Sequence, residues 1–502
     1  MAVPHCFQLI HALSATEKRT FSVYARRHVI GGETRYLRLF EIIEAMPDYH
    51  ESALRQQMLS VGLPVKWVKA DLNYLYKLLL EHLRLIHRDK SAHMQVSGYL
   101  TEIEILVHKG LIAAAEKHIH KAIALAQAIE AWDVLQRIYL WQRRIAVTHP
   151  ESGLSSTKIV AAISQAQAKL QQFNSALHLY EEAAELRKLA VQKRDTQTLR
   201  KFDALLKHPL FAIKSASLPI LTKIRLLQVQ GMRHYAKRAF EDEFQVHLQI
   251  IAAFNKHPLL RAAYAADYAA IHARVISILK NKDQAAFQQA LLTFRQIQPT
   301  DSEVHAAYID AYVFAQSYMV ELSAYLAQGA YETAYRLLQV IDKGLHKHRM
   351  HIGDGVRFSF DFMSTYTLFA NGHYAEARLR MHQLLNAYSK ELRPDVFQFA
   401  RLLDLMIHLA LGNYSNIRSA HASVAYQFKK HPKLYAIENR ILKYFSHPRF
   451  YSGRDQFIHL EQLADDLQQI SKKGREQLAL GYIDFYRWIR SRREKVPMSI
   501  IR

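Results

Sequence analysis

The sequence predicts an all-α protein built of stacked helical hairpins, on three observations. Glycine (16) and proline (12) are scarce in 502 residues, below the usual ~7% and ~5%; sandwiches, barrels and doubly wound sheets need turns more often. Half the residues are hydrophobic and 22% are charged, which supplies a large core and excludes a disordered chain. Apolar residues recur at three- and four-residue steps over long stretches, the period of helices with one buried side. The length suits roughly three average domains or one long array.

Residues 1–92 read as a head of four helices. Ser14-Ala-Thr-Glu17 is a capping box that opens a helix carrying Phe21, Tyr24 and Ala25, since the serine oxygen accepts an early N–H and the glutamate reaches back. Gly31-Gly32 breaks the chain, and a second helix with Leu37, Phe40, Ile43 and Ala45 ends before Pro47. A third spans about 51–59. After Pro64 a long helix bears Leu72, Leu75, Leu78, Leu79, Leu83 and Ile86.

Residues 93–474 read as repeats. A turn residue recurs with an aromatic or aliphatic side chain two positions on and a small one five positions on: Gly110, Ile112, Ala115; Gly329, Tyr331, Ala334; Gly372, Tyr374, Ala377; and Gly412, Tyr414, with Ile417 in the small position. Gln171, Phe173, Ala176 and Asn281, Asp283, Ala286 are weaker copies. From Asn281 the intervals are 48, 43 and 40 residues, a period expected of six to eight stacked hairpins. Glycine ends a helix in the left-handed region at little steric cost. The small residue then lets the next helix approach, and the aromatic fills the wedge. After Gly329 the stripe is Tyr331, Ala334, Leu338, Ile341 and Leu345; after Gly110 it is Ile112, Ala115, Ile119, Ala122 and Ala126. One hairpin cannot bury both its faces, so neighbours must stack.

Five prolines follow histidine, at 149–150, 208–209, 257–258, 431–432 and 447–448, and mark helix starts. Thr300-Asp-Ser-Glu303 after Pro299 is another capping box. Residues 475–502 read as a capping helix, over about 474–495, with a tail.

The turn pattern resembles the tetratricopeptide repeat, over about residues 97–490, in Gly372-His-Tyr374-Ala-Glu-Ala377, Gly329-Ala-Tyr331-Glu-Thr-Ala334, Gly412-Asn-Tyr414 and Gly110-Leu-Ile112-Ala-Ala-Ala115, with prolines such as Pro258 and Pro432 after second helices. The period departs from the family's ~34 residues, and its early tryptophan is not regularly filled. The head-plus-degenerate-repeats arrangement resembles bacterial repeat proteins. The resemblance implies a right-handed superhelical α-solenoid (TPR-like) and protein binding.

Chemistry is hard to find. No dinucleotide fingerprint, P-loop, His-Glu-x-x-His or nucleophile elbow occurs, and no glutamate has a histidine three residues on. The expectation is no enzyme, no cofactor, no metal and no small-molecule substrate. His118 and His120 fall on different helical faces; His346, His348 and His351 sit at a helix end, where surface histidines suit the helix dipole better than a metal. Cys6, the single cysteine, reads as a loose terminal thiol. No signal peptide and no membrane span are expected, so the protein reads as cytoplasmic.

Net charge is +22. Residues 201–300 hold 14 basic and 6 acidic side chains and residues 401–502 hold 18 and 9, against 9 and 11 in 301–400. Such a field attracts acidic partners. The expected function is a scaffold that binds an acidic protein or peptide segment on the concave face. Tyr264, Tyr268, Tyr308, Tyr312, Tyr318 and Tyr325, on first helices, are the candidate contacts, with inter-repeat packing as the alternative role. The rival is nucleic-acid binding by a helix-turn-helix-like head through Arg55, Lys66, Lys69 and Lys77. The basic end Arg487-Trp488-Ile-Arg490-Ser-Arg492-Arg493-Glu-Lys495 reads as a solubilising cap before a phosphate or membrane contact.

Overall fold

The computed structural model describes residues 4–27, 35–193, 196–280, 282–297, 303–429, 435–452, 455–472 and 476–501. Gly31-Gly32, Asn281, the Pro299–Ser302 stretch, His431-Pro432 and Gly474 lie outside the described residues. Among those described there are 25 α-helices and no strand. Contacts divide the chain into two units, Met1–Tyr268 with Pro299–Ala306, and Ala269–Gln298 with Ala307–Arg502.

The first unit opens with α1 (His5–Ala12), α2 (Ala15–Arg27), α3 (Arg35–Ala45), α4 (Glu51–Ser60) and α5 (Val68–His87). Among the described residues the head thus has five helices. The extra one, α1, is too short to show a repeat of its apolar period. It places Cys6 in the head's core with Phe21, Phe40, Leu75 and Leu79, so the thiol is not loose, and burial pushes its pKa up to about 12. The capping box forms: Ser14 N–H donates to Glu17 at 2.7 Å and Glu17 N–H to Ser14 Oγ at 3.2 Å.

There follow α6 (Ala92–His108), α7 (Ile112–Ala128), α8 (Trp132–Thr148), α9 (Ser156–Lys193), α10 (Thr196–Leu205), α11 (Ile220–Lys237), α12 (Phe240–Asn255) and α13 (Pro258–Ala263). α6 packs on α7, α7 on α8, α8 on α9 and α11 on α12. Gly110 bends the chain at φ +72° and Ala115 is fully buried. The weak copy at Gln171 is not a turn. α9 runs straight through it for 38 residues, because that stretch has no glycine or proline and is rich in alanine, leucine and glutamine. Pro150, Pro209 and Pro258 each stand in the first turn of a short helix after their histidine.

The second unit holds most of α14 (Ala265–Leu279), then α15 (Gln284–Arg295), most of α16 (Glu303–Gln328), α17 (Tyr331–Lys347), α18 (Asp354–Ala370), α19 (Tyr374–Ala387), α20 (Pro394–Ala410), α21 (Tyr414–Lys429), α22 (Ala436–Tyr444), α23 (Arg449–Ser452), α24 (Gln456–Ser471) and α25 (Phe485–Glu494). From α17 to α21 each helix packs on its chain neighbour. Gly329, Gly372 and Gly412 bend at φ +70°, +85° and +72°, and Ala334, Ala377 and Ile417 behind them are fully buried. Tyr331 is buried, Tyr374 half-buried and Tyr414 exposed.

The expected helix over 474–495 is broken. A 3₁₀ turn (Glu476–Gly481) precedes an irregular stretch, and α25 starts afresh where Asp484 Oδ1 accepts the Arg487 N–H at 2.9 Å. This C-terminal segment packs across the repeat bends. Arg487 Nη1 donates to Gly329 O at 2.9 Å, Pro497 abuts Gly372, and Trp488 is buried between Tyr444 and Phe445. Its presence explains why α18 and α20 are buried nearly all round, from Phe358 to Ala370 and from Val396 to Leu409.

Candidate functional site

A cavity of about 440 Å³ lies in the second unit between α16, α18, α20 and residues 480–486. Each wall has a local cause. Met319, Ser323, Leu326 and Ala327 come from the last turns of α16, and Phe362, Met363 and Tyr366 from the middle of α18. Val396 comes from α20, whose Pro394 fixes the first turn, and Leu480 to Tyr486 form the irregular stretch before α25.

Two polar clusters hold residues 480–486 in place. At one, the Arg393 guanidinium grips Asp395, Nε to Oδ1 at 3.0 Å and Nη2 to Oδ2 at 2.8 Å, while Nη1 donates to Ser359 Oγ at 3.0 Å. The Tyr482 hydroxyl donates to Asp395 Oδ2 at 2.8 Å, and its ring stacks on Phe399 at 4.3 Å. Burial pushes the Asp395 carboxyl upward, but Arg393, the Tyr482 hydroxyl and the Val396 N–H together outweigh it and hold the pKa below the usual value. At the other, the Asp484 N–H donates to the buried Tyr366 hydroxyl at 2.9 Å, which also pairs with Tyr331 at 3.2 Å. Burial raises the Tyr366 and Tyr482 phenols far above neutrality.

The six candidate tyrosines divide between the units. Tyr264 and Tyr268, in the first, are half-buried. Tyr264 meets His93 edge-on, and burial pushes its phenol up to about 12. Tyr268 donates to Asn255 Oδ1 at 3.1 Å beneath Arg261. The other four lie on α16. Tyr318 is covered by the Arg295 guanidinium, 4.1 Å from its centroid, and Tyr325 donates to Glu321 at 3.3 Å. Tyr308 is 48% exposed and Tyr312 half-buried. Tyr308, Tyr312, Gln316, Met319, Ser323 and Ala327 share one face of α16. All six are exposed or half-buried, and the last three line the cavity. Helical spacing marks that face in the sequence. The cavity at its end leaves no sequence signal, because its walls come from segments far apart in the chain.

Two non-glycine bends were also invisible. Glu130 and Arg238 take φ +54° and +61°, followed two positions on by Trp132 and Phe240, as at the glycine bends. Glu130 has a reason to stay: its carboxylate accepts the N–H groups of Ile220 at 2.6 Å and Leu221 at 2.8 Å at the start of α11.

Elsewhere, His348 is buried against Phe314 while His346 and His351 face outward, so the three do not converge. His118 meets Glu102 at 2.8 Å and His120 is exposed. Among the described residues no group of three His, Cys, Asp or Glu side chains is placed to hold a metal, and no helix is long and apolar enough to cross a membrane. In the head, Arg55 is held by Glu51 at 2.7 Å and Val65 O at 3.1 Å, whereas Lys66, Lys69 and Lys77 are exposed. Trp67 and Tyr74 are 58% and 50% exposed, with the Lys66 ammonium 5.1 Å from the Trp67 ring centroid. In the C-terminal helix, Trp488 is core, Arg493 pairs with Glu461 and Arg490 with Glu494. Compared with known protein families, curated proteins and solved structures, the chain matches none.

Proposed function

We propose that the protein is a non-catalytic scaffold whose second unit, a right-handed tetratricopeptide-like array, binds a segment of an acidic partner along α16. One observation carries this: the face from Tyr308 through Tyr312 and Met319 to Ala327 is exposed or half-buried along its length and leads to a cavity. Tyrosine and methionine give contact area at low ordering cost, and the cavity receives one anchoring side chain, the arrangement from which most interface energy comes. The net charge of +22 favours an acidic partner through faster encounter. The absence of catalysis is supported by the site's own groups. Arg393 and Asp395 neutralise each other, and the phenols stay protonated at neutral pH.

A photo-crosslinking residue at Tyr308 in the native cell should yield a specific cross-linked protein. The same residue at Tyr426, which is 62% exposed on the second helix α21, should not. Cross-links from both positions alike, or from neither, contradict the proposal.

A second reading has its own support in the head. Exposed Trp67 and Tyr74 beside Lys66, Lys69 and Lys77 resemble the aromatic-and-cation surfaces that contact nucleic acid. Titration with duplex and single-stranded DNA across salt decides it: binding must be present near 100 mM salt, weaken steeply with added salt and fall on Trp67→Ala.

A further inference from the structure

Arg492 and Lys495 line a second cavity, of about 360 Å³, within the second unit. Its other walls include Tyr374 at the start of α19, Gln456 and Phe457 in the first turn of α24, and Trp488 of α25. Among the described residues no aspartate or glutamate lines it, and neither cation forms an ion pair or a side-chain hydrogen bond. The nearby acids are committed elsewhere, Glu494 to Arg490 at 3.5 Å and Glu461 to Arg493 at 3.1 Å. Arg492 Nε is buried without an acceptor. Burial raises the Tyr374 and Tyr444 phenols, and the Arg492 charge beside them acts the other way.

The end of α25 favours basic residues through the helix dipole. That dipole gives Nε no acceptor, and a buried donor left unmatched is costly. Neighbouring helix ends do not supply one either. Phe369 O accepts the Gly372 N–H at 3.1 Å and Leu409 O the Gly412 N–H at 3.2 Å, in their own bends. α24 meets the cavity with its N-terminal end, which the Asp455 side chain does not cap; its free N–H groups add positive potential. Two cations and a helix N-terminus thus converge on a cavity without an acid.

Two unmatched positive charges suit a dianion concentrated on one group. A phosphate monoester is one above its second ionisation near pH ~6, and an arginine fork fits its oxygens. A carboxylate or sulfate would leave one charge unmatched. Phe457, 38% exposed, and Trp488 give aromatic wall for a flat apolar body. At about 30 Å³ for each water-sized group, 360 Å³ holds roughly twelve, the size of one ring with one phosphate.

We propose that this cavity binds an aryl phosphate, its phosphate on Arg492 and Lys495 at the N-terminus of α24 and its ring against Phe457 and Trp488. No α16 residue lines the cavity, so this proposal and the partner face fail separately.

Isothermal titration calorimetry of the full chain at about pH 8, where the phosphate is a dianion, tests it with phenyl phosphate. Phenyl sulfate keeps the shape with one charge fewer, and inorganic phosphate lacks the ring. Phenyl phosphate should bind once per chain and at least about tenfold more tightly than either, the factor expected of one charge-assisted hydrogen bond. Lys495 holds φ +55°, a backbone that glycine adopts freely. Lys495→Gly should therefore melt no lower than the wild type and still lose at least about tenfold in affinity for phenyl phosphate. Arg492→Met should lose at least as much. Phe457→Ala should weaken phenyl phosphate and leave inorganic phosphate unchanged. N-acetyl-phosphotyrosine amide separates the sources: tighter binding than phenyl phosphate assigns the aryl phosphate to a tyrosine side chain, weaker binding to a free molecule. No binding of phenyl phosphate, equal affinity for phenyl sulfate or inorganic phosphate, or unchanged affinity in any of the three variants would each overturn the site.

Discussion

Gly329 and Gly412 share a left-handed backbone but not a neighbourhood. A Cβ on Gly412 meets nothing within 4 Å, so Gly412→Ala carries only the conformational cost, about 1–2 kcal/mol. A Cβ on Gly329 runs into the Arg487 guanidinium. Gly329→Ala also displaces that flexible guanidinium and its bond to Gly329 O, adding about 0.5–1.5 kcal/mol. Denaturant titration should give a lower midpoint for Gly329→Ala than for Gly412→Ala; equal midpoints contradict the clamp. Buried His272 behaves differently, because burial pushes its pKa from 6.5 down to about 4. Its folded pKa is depressed, so its contribution is complete above pH 6.5 and is lost as pH falls toward 4. The loss is at most on the order of 3 kcal/mol at about 1.4 kcal/mol per unit. Thermal melts between pH 7 and 4.5 should show a flatter stability profile for His272→Leu than for the wild type. Residue chemistry is also where the sequence is clearest. Glycine announces a left-handed bend, so four bends could be placed from it. Glu130 and Arg238 adopt the same backbone yet look like any surface charge, and only the aromatics that follow hint at them.

Among the elements, helices with a one-sided apolar stripe were legible, as α5, α7 and α17 show. α9 was not divided where expected, because a repeat spacing without a helix breaker does not stop a run of alanine, glutamine and leucine. The break before α25 was hidden for the opposite reason: it is set by contacts of Tyr482 and Asp484 with α18 and α20, not by local propensity. The segment acts as a cover for two helices that are buried on nearly all sides. Trp488→Ala should cost about 3–5 kcal/mol. Ending the chain after Ser471 uncovers the Phe399 and Tyr366 side of the unit and should give aggregated protein by light scattering. A soluble, cooperatively melting truncation would show that the cover is dispensable.

At the scale of the whole molecule, an all-α chain of neighbour-packed helices was readable from composition and period. A working surface was only half readable. The tyrosines of α16 stand out by spacing, but Tyr318 and Tyr325 turn to Arg295 and Glu321 while Tyr308 and Tyr312 lie on the face that leads to the cavity. Nothing in one sequence tells those faces apart, because the difference is made by which helix packs on each. The account rests on that α16 face being where a partner settles. Hydrogen exchange of the full chain, with and without the protein that cross-links at Tyr308, measures this directly. Added protection should be confined to α16 and the cavity wall at residues 480–486. Protection that instead falls on α19 and α21, or on the head, would contradict it.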